Sequence, residues 1–191
     1  MEFADIKDLT NRAQPGVLTD PKTFADFLTF VLNDKQAITA EVSGEALAEL
    51  AGIEKSINQK DPDAGLSMTV GFSLGAWQRL FSSEATPKEL RPFTPMKDGS
   101  RTFPATEGDI FVMVKSDRMD LNFQASKLAA KALGTFSRLV EDTQGYKYLD
   151  NRDMIDFVDG TENPAGDERV GAVLVNDDID MFKGGSYLTL Q

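Results

Sequence analysis

Two stretches of this sequence gather residue types that could do chemistry. From Asn151 to Pro164 the chain sets Asp153, Asp156, Asp159 and Glu162 around Gly160. From Gly71 to Gly75 it reads Gly-Phe-Ser-Leu-Gly, the pattern that presents a nucleophilic serine on a strand-to-helix turn. Against these stand two absences, because the 191 residues contain no histidine and no cysteine.

The absences decide the second stretch. An elbow serine needs a base to take its proton, and without histidine Ser73 has no usual partner, so the stretch is expected to be a tight turn of small residues. They also remove histidine-based zinc sites, histidine-ligated haem, disulfides and thiolate metal sites from what these residues can do unaided.

The acidic stretch invites a calcium-loop reading, which needs oxygen ligands at loop positions one, three and five before the glycine. Setting Gly160 as that glycine puts Ile155 and Phe157 at positions one and three, so only Asp159 fits. No Walker A or G-x-G-x-x-G run occurs, and no metal site is assigned. As a local structure, Asp156 to Pro164 reads as a polar turn in which Asp159 and Asn163 accept backbone hydrogen bonds and Gly160 takes a positive φ. A functional loop remains open beside that reading.

Charge narrows the partners. Twenty basic against 31 acidic residues give a formal charge of −11, with the acidic excess concentrated from 140 to 181. Such a surface repels phosphate backbones and anionic lipid, so neither nucleic acid nor a membrane is an expected partner. No apolar run reaches the roughly 20 residues of a membrane helix, and the opening Met1-Glu2-Phe3-Ala4-Asp5 is no signal leader, so the expected location is cytoplasmic.

The elements that must position these residues follow from periodicity. Phe24 to Leu32, rich in aromatic and branched residues, predicts a first strand. Ile38, Val42, Ala46, Leu50, Ile53 and Ile57 make one helix face, stopped by Lys60-Asp61-Pro62-Asp63. Leu66 to Phe72 reads as a second strand, Ala76 to Phe81 as a short helix, and Thr86 to Arg101 as a proline-bearing loop. Asp109 to Lys115 gives a third strand, and Leu121, Ala125, Leu128 and Ala132 a second helix face capped by Gly134. Phe136 to Val140 and Tyr146 to Leu149 are extended pieces around a Gly145 turn, and Gly184 to Gln191 is a turn entering a strand.

The order strand, helix, strand, strand, helix, strand predicts an α+β, ferredoxin-like split βαβ domain, with an antiparallel sheet and helices on one face. Its expected extent is 23–150, after a lead-in over 1–22. The final strand with nothing after it suggests a chain truncated relative to its fold.

Phe157-Val158-Asp159-Gly160-Thr161-Glu162-Asn163-Pro164, reached from Asn151-Arg152-Asp153-Met154, resembles the signature of the dye-decolourising haem peroxidases, whose general form is G-x-x-D-G. Further likenesses lie in order at Val70-Gly71-Phe72, Trp77, Arg79-Leu80, Asp109-Ile110-Phe111-Val112, Asn122-Phe123 and Gly184-Gly185-Ser186-Tyr187, nearest to the compact bacterial group. Asp156 stands where the motif has its first glycine, a departure that aspartate tolerates better than most residues.

The resemblance implies two ferredoxin-like domains with haem b in a pocket of the second, of which residues 151–191 would be the distal aspartate loop and the incomplete start, and hydrogen peroxide oxidising small aromatic reductants such as phenols and dyes. It makes Asp159 the distal acid-base residue, its pKa expected to be raised by burial beside Phe157 and Val158. Phe157, Asp159, Gly160, Thr161, Glu162 and Gln191 are the expected haem contacts. The family's proximal histidine and distal arginine fall beyond residue 191, so these residues by themselves are expected to be inactive. A homo-oligomer is expected. The alternative is a haem-free ferredoxin-like module that associates through an exposed sheet edge.

Overall fold

The computed structural model describes residues 3–33, 38–81 and 85–190. Its centre is a four-stranded antiparallel sheet built from β1 (Phe24–Leu32), β2 (Ser67–Phe72), β5 (Ile110–Ser116) and β6 (Ser137–Tyr146), in the order β2-β5-β1-β6. A small hairpin of β3 (Met96–Asp98) and β4 (Arg101–Phe103) lies apart from it. The helices are α1 (Phe3–Arg12), α2 (Pro15–Leu18), α3 (Ala40–Asn58), α4 (Leu74–Phe81), α5 (Met119–Leu133) and α6 (Gly166–Val173).

Taking β1, α3, β2, β5, α5 and β6 in turn gives the βαββαβ path of a ferredoxin-like unit, as the sequence predicts. Alternate β1 residues Leu28, Phe30 and Leu32 point to the helix side, where they meet Ala46, Leu50, Ile53 and Ile57 of α3. From α5 come Ala125, Ala129, Ala132 and Leu133. Each of the large side chains buried here contributes about 1.5–3 kcal/mol relative to exposure. Val42, expected on the α3 core face, is 40% exposed and lies in the first turn, where its amide donates to the Thr39 cap.

Both sheet edges are managed. Along β2 the outward main-chain groups are taken by side chains. Asn58 bonds the Leu66 amide and carbonyl at 3.0 and 2.7 Å, Glu54 accepts the Met68 amide at 3.2 Å, and Gln14 bonds both main-chain groups of Val70 at 2.8 Å. On β6 the register slips between Thr29 and Phe30, leaving Val140 as an extra residue, and Arg138, Glu141 and Asp142 put charges on that strand. Side-chain cover, a bulge and charge all discourage pairing with another chain. The expected terminal strand is absent among the described residues, since 186–190 adopt no strand.

Three further segments differ from expectation. Gly145 is no turn but lies inside β6 opposite Ala25, where the Phe27 ring sits so close that a Cβ would fall 3.2 Å from it. The loop expected from Thr86 to Arg101 contains β3 and runs into the β4 hairpin, whose residues are almost all exposed and carry no hydrophobic alternation. The lead-in folds into α1 and α2. Leu9 packs with Val170 and Leu174, joined by Ile6, Val17 and Leu18, in a second small core. Gly16 of α2 presses against β2: a Cβ there would overlap the Thr69 hydroxyl and lie 2.9 Å from the Met68 carbonyl.

Among the described residues no helix is long and apolar enough to cross a membrane.

Candidate functional site

The aspartate loop leaves β6 through a short 3₁₀ turn at Leu149–Asn151 and ends where α6 begins. It is a miniature hairpin. Arg152 and Val158 form an antiparallel bridge, the Asp153 amide donates to the Phe157 carbonyl at 2.8 Å, and the Asp159 amide donates to the Asn151 carbonyl at 2.8 Å. Arg152 adds a side-chain bond from Nη1 to the Asp156 carbonyl at 2.7 Å.

Asp153 organises the tip. Its Oδ1 accepts the Ile155 amide at 2.9 Å and the Phe157 amide at 3.0 Å, an arrangement by which aspartate substitutes for backbone pairing in a turn. This role was expected of Asp159 and Asn163. Instead the Asn163 amide donates to the Gly160 carbonyl at 3.1 Å, and among the described residues the Asp159 carboxylate has no hydrogen-bonding or ion-pairing partner. A carboxylate with its lone pairs unspent is available to a ligand.

Backbone strain concentrates in the same place. Among the described residues the non-glycine positions with positive φ are Asp150 at 50°, Asn151 at 61° and Asp156 at 73°, all within this loop, and Gly160 follows at 77° as expected. Left-handed backbone costs a side-chain-bearing residue about 1–2 kcal/mol, less for Asp and Asn. Asp156, standing where the motif has glycine, adopts the conformation that a glycine there would favour.

The loop is open. Phe157 is 68% and Val158 43% exposed, and Asp159, Gly160, Thr161 and Glu162 are exposed beside them. The burial expected around the Asp159 carboxyl is therefore not supplied by these neighbours. Gln191, the remaining expected contact, lies outside the described residues. Met154 and Ile155 extend the exposed apolar surface. Among the described residues no group of three or more acidic side chains is arranged to hold a metal ion.

Ser73 behaves as the turn residue expected. Its Oγ accepts the Ala76 amide at 3.1 Å at the start of α4 and donates to Asp109 Oδ1 at 3.2 Å, while Asp109 Oδ2 accepts the Leu32 amide at 2.9 Å. It caps a helix and sits in no catalytic array.

The fold, the loop and the likeness to known proteins coincide. A family model described as Dyp-type peroxidase, N-terminal, matches residues 14–147, and one described as Dyp-type peroxidase, C-terminal, matches 150–191. The chain belongs to the Dyp-type peroxidase family.

Family relatives span more than this sequence. A dye-decolorizing peroxidase of Rhodococcus erythropolis is 35% identical over 182 residues, which is 94% of this chain and 52% of that protein. One from Mycobacterium tuberculosis is 35% identical over 147 residues, 77% of this chain and 44% of that protein. The chain thus spans about half the length of the curated relatives it matches. Among solved structures, the encapsulated DyP-type peroxidase from Mycobacterium smegmatis superposes with a TM-score of 0.82 at 32% identity, covering 90% of this chain and 54% of that one. A Rhodococcus jostii RHA1 DypB variant in complex with heme gives 0.83 at 31% identity, covering 91% and 55%.

Sequence reading singled out Asp159 and its neighbours but gave Asp153, Arg152 and Asn151 no role of their own. An aspartate two and four residues before apolar positions of a turn is a usable signal for the first. Arg152 and Asn151 act on or through main-chain groups, for which side-chain spacing carries no signature.

Proposed function

We propose that this chain is the part of a haem peroxidase that carries the distal acid-base residue, Asp159. The carrying observation is a carboxylate with no partner among the described residues, held by its own backbone bond to Asn151 in a strained, exposed loop of a chain of the Dyp-type peroxidase family. Non-glycine left-handed residues gather at functional sites because only a surrounding structure with another use for them tolerates the cost.

The residues present suit the distal side of haem b. Phe157 and Val158 offer an apolar surface to a flat, largely apolar ring, with Asp159 between them and Gly160, and with Thr161 and Glu162 beyond as polar edge contacts. A histidine ligand for the iron cannot come from these 191 residues, which have none. Haem, when bound, supplies the redox-active iron that accepts the oxidising equivalents of hydrogen peroxide.

The protein's own part is proton handling. One Oδ atom of ionised Asp159 would take the proton from one oxygen of hydrogen peroxide and deliver it to the other, so that as the O–O bond breaks this second oxygen, already carrying its own hydrogen, leaves as water. The reductants this reading assigns are small aromatic molecules, phenols and dyes among them. Residues 151–191 open the second ferredoxin-like unit in this reading.

The test is reconstitution of the full-length chain with haemin. A Soret band shifted to that of a ligated haem protein, with peroxide-dependent oxidation of a phenol, is expected. Failure of the full-length chain to take up haem overturns the reading and favours a haem-free association module.

A further inference from the structure

Residues 18–20, the end of α2 and the start of its link to β1, run between two cations from different elements. Lys115 of β5 donates from Nζ to the Thr19 carbonyl at 2.8 Å. Arg169 of α6 donates from Nη1 to the Leu18 carbonyl at 2.9 Å and pairs with the Asp20 carboxylate at 2.7 Å. Burial, with the charge of Arg169 nearby, holds the Lys115 ammonium below the ordinary lysine range. Two main-chain carbonyls and one carboxylate offset the repulsion between these like charges.

Arg169 makes one more contact. Its Nε donates to the Pro164 carbonyl at 3.1 Å. Pro164 closes the run Asp159-Gly160-Thr161-Glu162-Asn163-Pro164, and proline's carbonyl is the one main-chain polar group by which it can be fastened. A guanidinium presents its donors in a rigid planar fork, so one side chain fixes Leu18, Asp20 and Pro164 relative to one another. A lysine, as a point charge on a flexible stem, could not hold all three.

The arm so fastened is itself anchored. Leu9, Val17 and Leu18 pack on Val170 and Leu174, and Arg12 bonds the Asp180 carbonyl at 2.7 Å. From these contacts we propose that Arg169 is a positioning residue: it fastens the C-terminal end of the aspartate loop to the N-terminal arm, so that the seating of α1 and α2 sets where Asp159 stands. The catalytic consequence rests on the reading of Asp159 as proton carrier. The fastening does not.

The experiment uses the full-length chain with Arg169→Met, Arg169→Lys and Asp20→Asn. Hydrogen exchange on the haem-free protein reads the fastening. Arg169→Met is expected to speed exchange of the Asp159 and Asn163 amides about tenfold while β1 and β5 amides keep their rates, with Arg169→Lys restoring part of the protection. In the haem-loaded protein the rate constant with hydrogen peroxide is expected to fall about tenfold with the KM for a phenol unchanged, since misplacement by an ångström can cost up to about 10²-fold.

Unchanged loop exchange in Arg169→Met overturns the proposal. If that variant does not fold, Arg169→Lys and Asp20→Asn carry the same comparison, and unchanged loop exchange in both overturns it equally. A loosened loop with an undiminished peroxide rate, when Asp159→Asn does lower that rate, also overturns the positioning role. If neither Arg169→Met nor Asp159→Asn lowers the rate, Asp159 is not the carrier, and the fastening, read by exchange, still stands.

Discussion

The backbone N–H of Asp159 donates to the carbonyl of Asn151 at 2.8 Å, and Asn151 itself sits at a φ of 61°. The bond closes the neck of the aspartate hairpin. It fixes the backbone of Asp159 while leaving the carboxylate without a partner among the described residues, a division that suits a group meant to meet something other than its own chain.

The turn beyond that neck depends on Asp153. Replacing it with alanine removes the acceptor of the Ile155 and Phe157 amides and should cost about 1 kcal/mol, as losing a side-chain cap does elsewhere. Asp153→Asn keeps an acceptor oxygen and should stay close to the parent. Urea unfolding of the three proteins checks this, and equal midpoints for the parent and Asp153→Ala would count against it.

The left-handed positions make opposite demands. At Gly160 an added Cβ falls 3.0 Å from the side-chain Nδ2 of Asn163 in a backbone with φ of 77°, so Gly160→Ala should cost about 1–2 kcal/mol. Asp156→Gly relieves a strained position at φ 73° and should leave stability within about 1 kcal/mol of the parent. Thermal melts of both variants decide it, and equal losses in the two would contradict the assignment of strain.

Asp26 is 3% exposed within the helix-sheet core and accepts a hydrogen bond from Ser126 at 2.8 Å. Burial raises its pKa, the bond from Ser126 opposes the rise, and the charge of Asp142 nearby adds to it. The folded state therefore binds the proton more tightly than the unfolded chain, whose aspartates titrate near about 3.9. Its contribution is fully present below that value and is lost as pH rises through the folded pKa. Asp26→Asn should remove this loss, seen as a flatter urea midpoint from about pH 4 upward. A slope identical to the parent's would mean that Asp26 is not buried as described.

Asp117 runs the other way. The Thr23 amide at 3.0 Å, Lys22 at 3.0 Å and the Thr23 hydroxyl at 2.8 Å lower its pKa to about 2. Its stabilisation is present above the unfolded value near about 3.9 and fades as pH falls from there toward about 2. Since the side chain is 43% exposed, solvent screening limits the effect, and Asp117→Asn should cost about 1 kcal/mol at neutral pH and only a small part of that near pH 2. Equal losses at both pH values would contradict it.

Much of the central fold was legible because its signals are local. The β1 run of aromatic and branched residues, the four-residue spacing along α3 and the order of elements all survive in the structure. What was not legible depends on distant partners. Gly145 reads as a turn until the Phe27 ring is seen against it, and the first 22 residues read as a lead-in until Val170 and Leu174 appear beneath Leu9.

The site divides the same way. Asp159 and Gly160 carry a pattern in their types and spacing. Arg169 binds carbonyls of Leu18 and Pro164, groups every residue possesses, so nothing in the sequence singles it out.

The central claim is that Asp159 carries the proton when peroxide is cleaved. Its most direct measurement is the second-order rate constant of the haem-loaded, full-length protein with hydrogen peroxide, followed at the Soret band, for the parent and Asp159→Asn. The account predicts a fall of about 10²-fold or more with haem binding retained, the usual contribution of a positioned acid-base group. A rate equal to the parent's, in a variant that still binds haem, would contradict it.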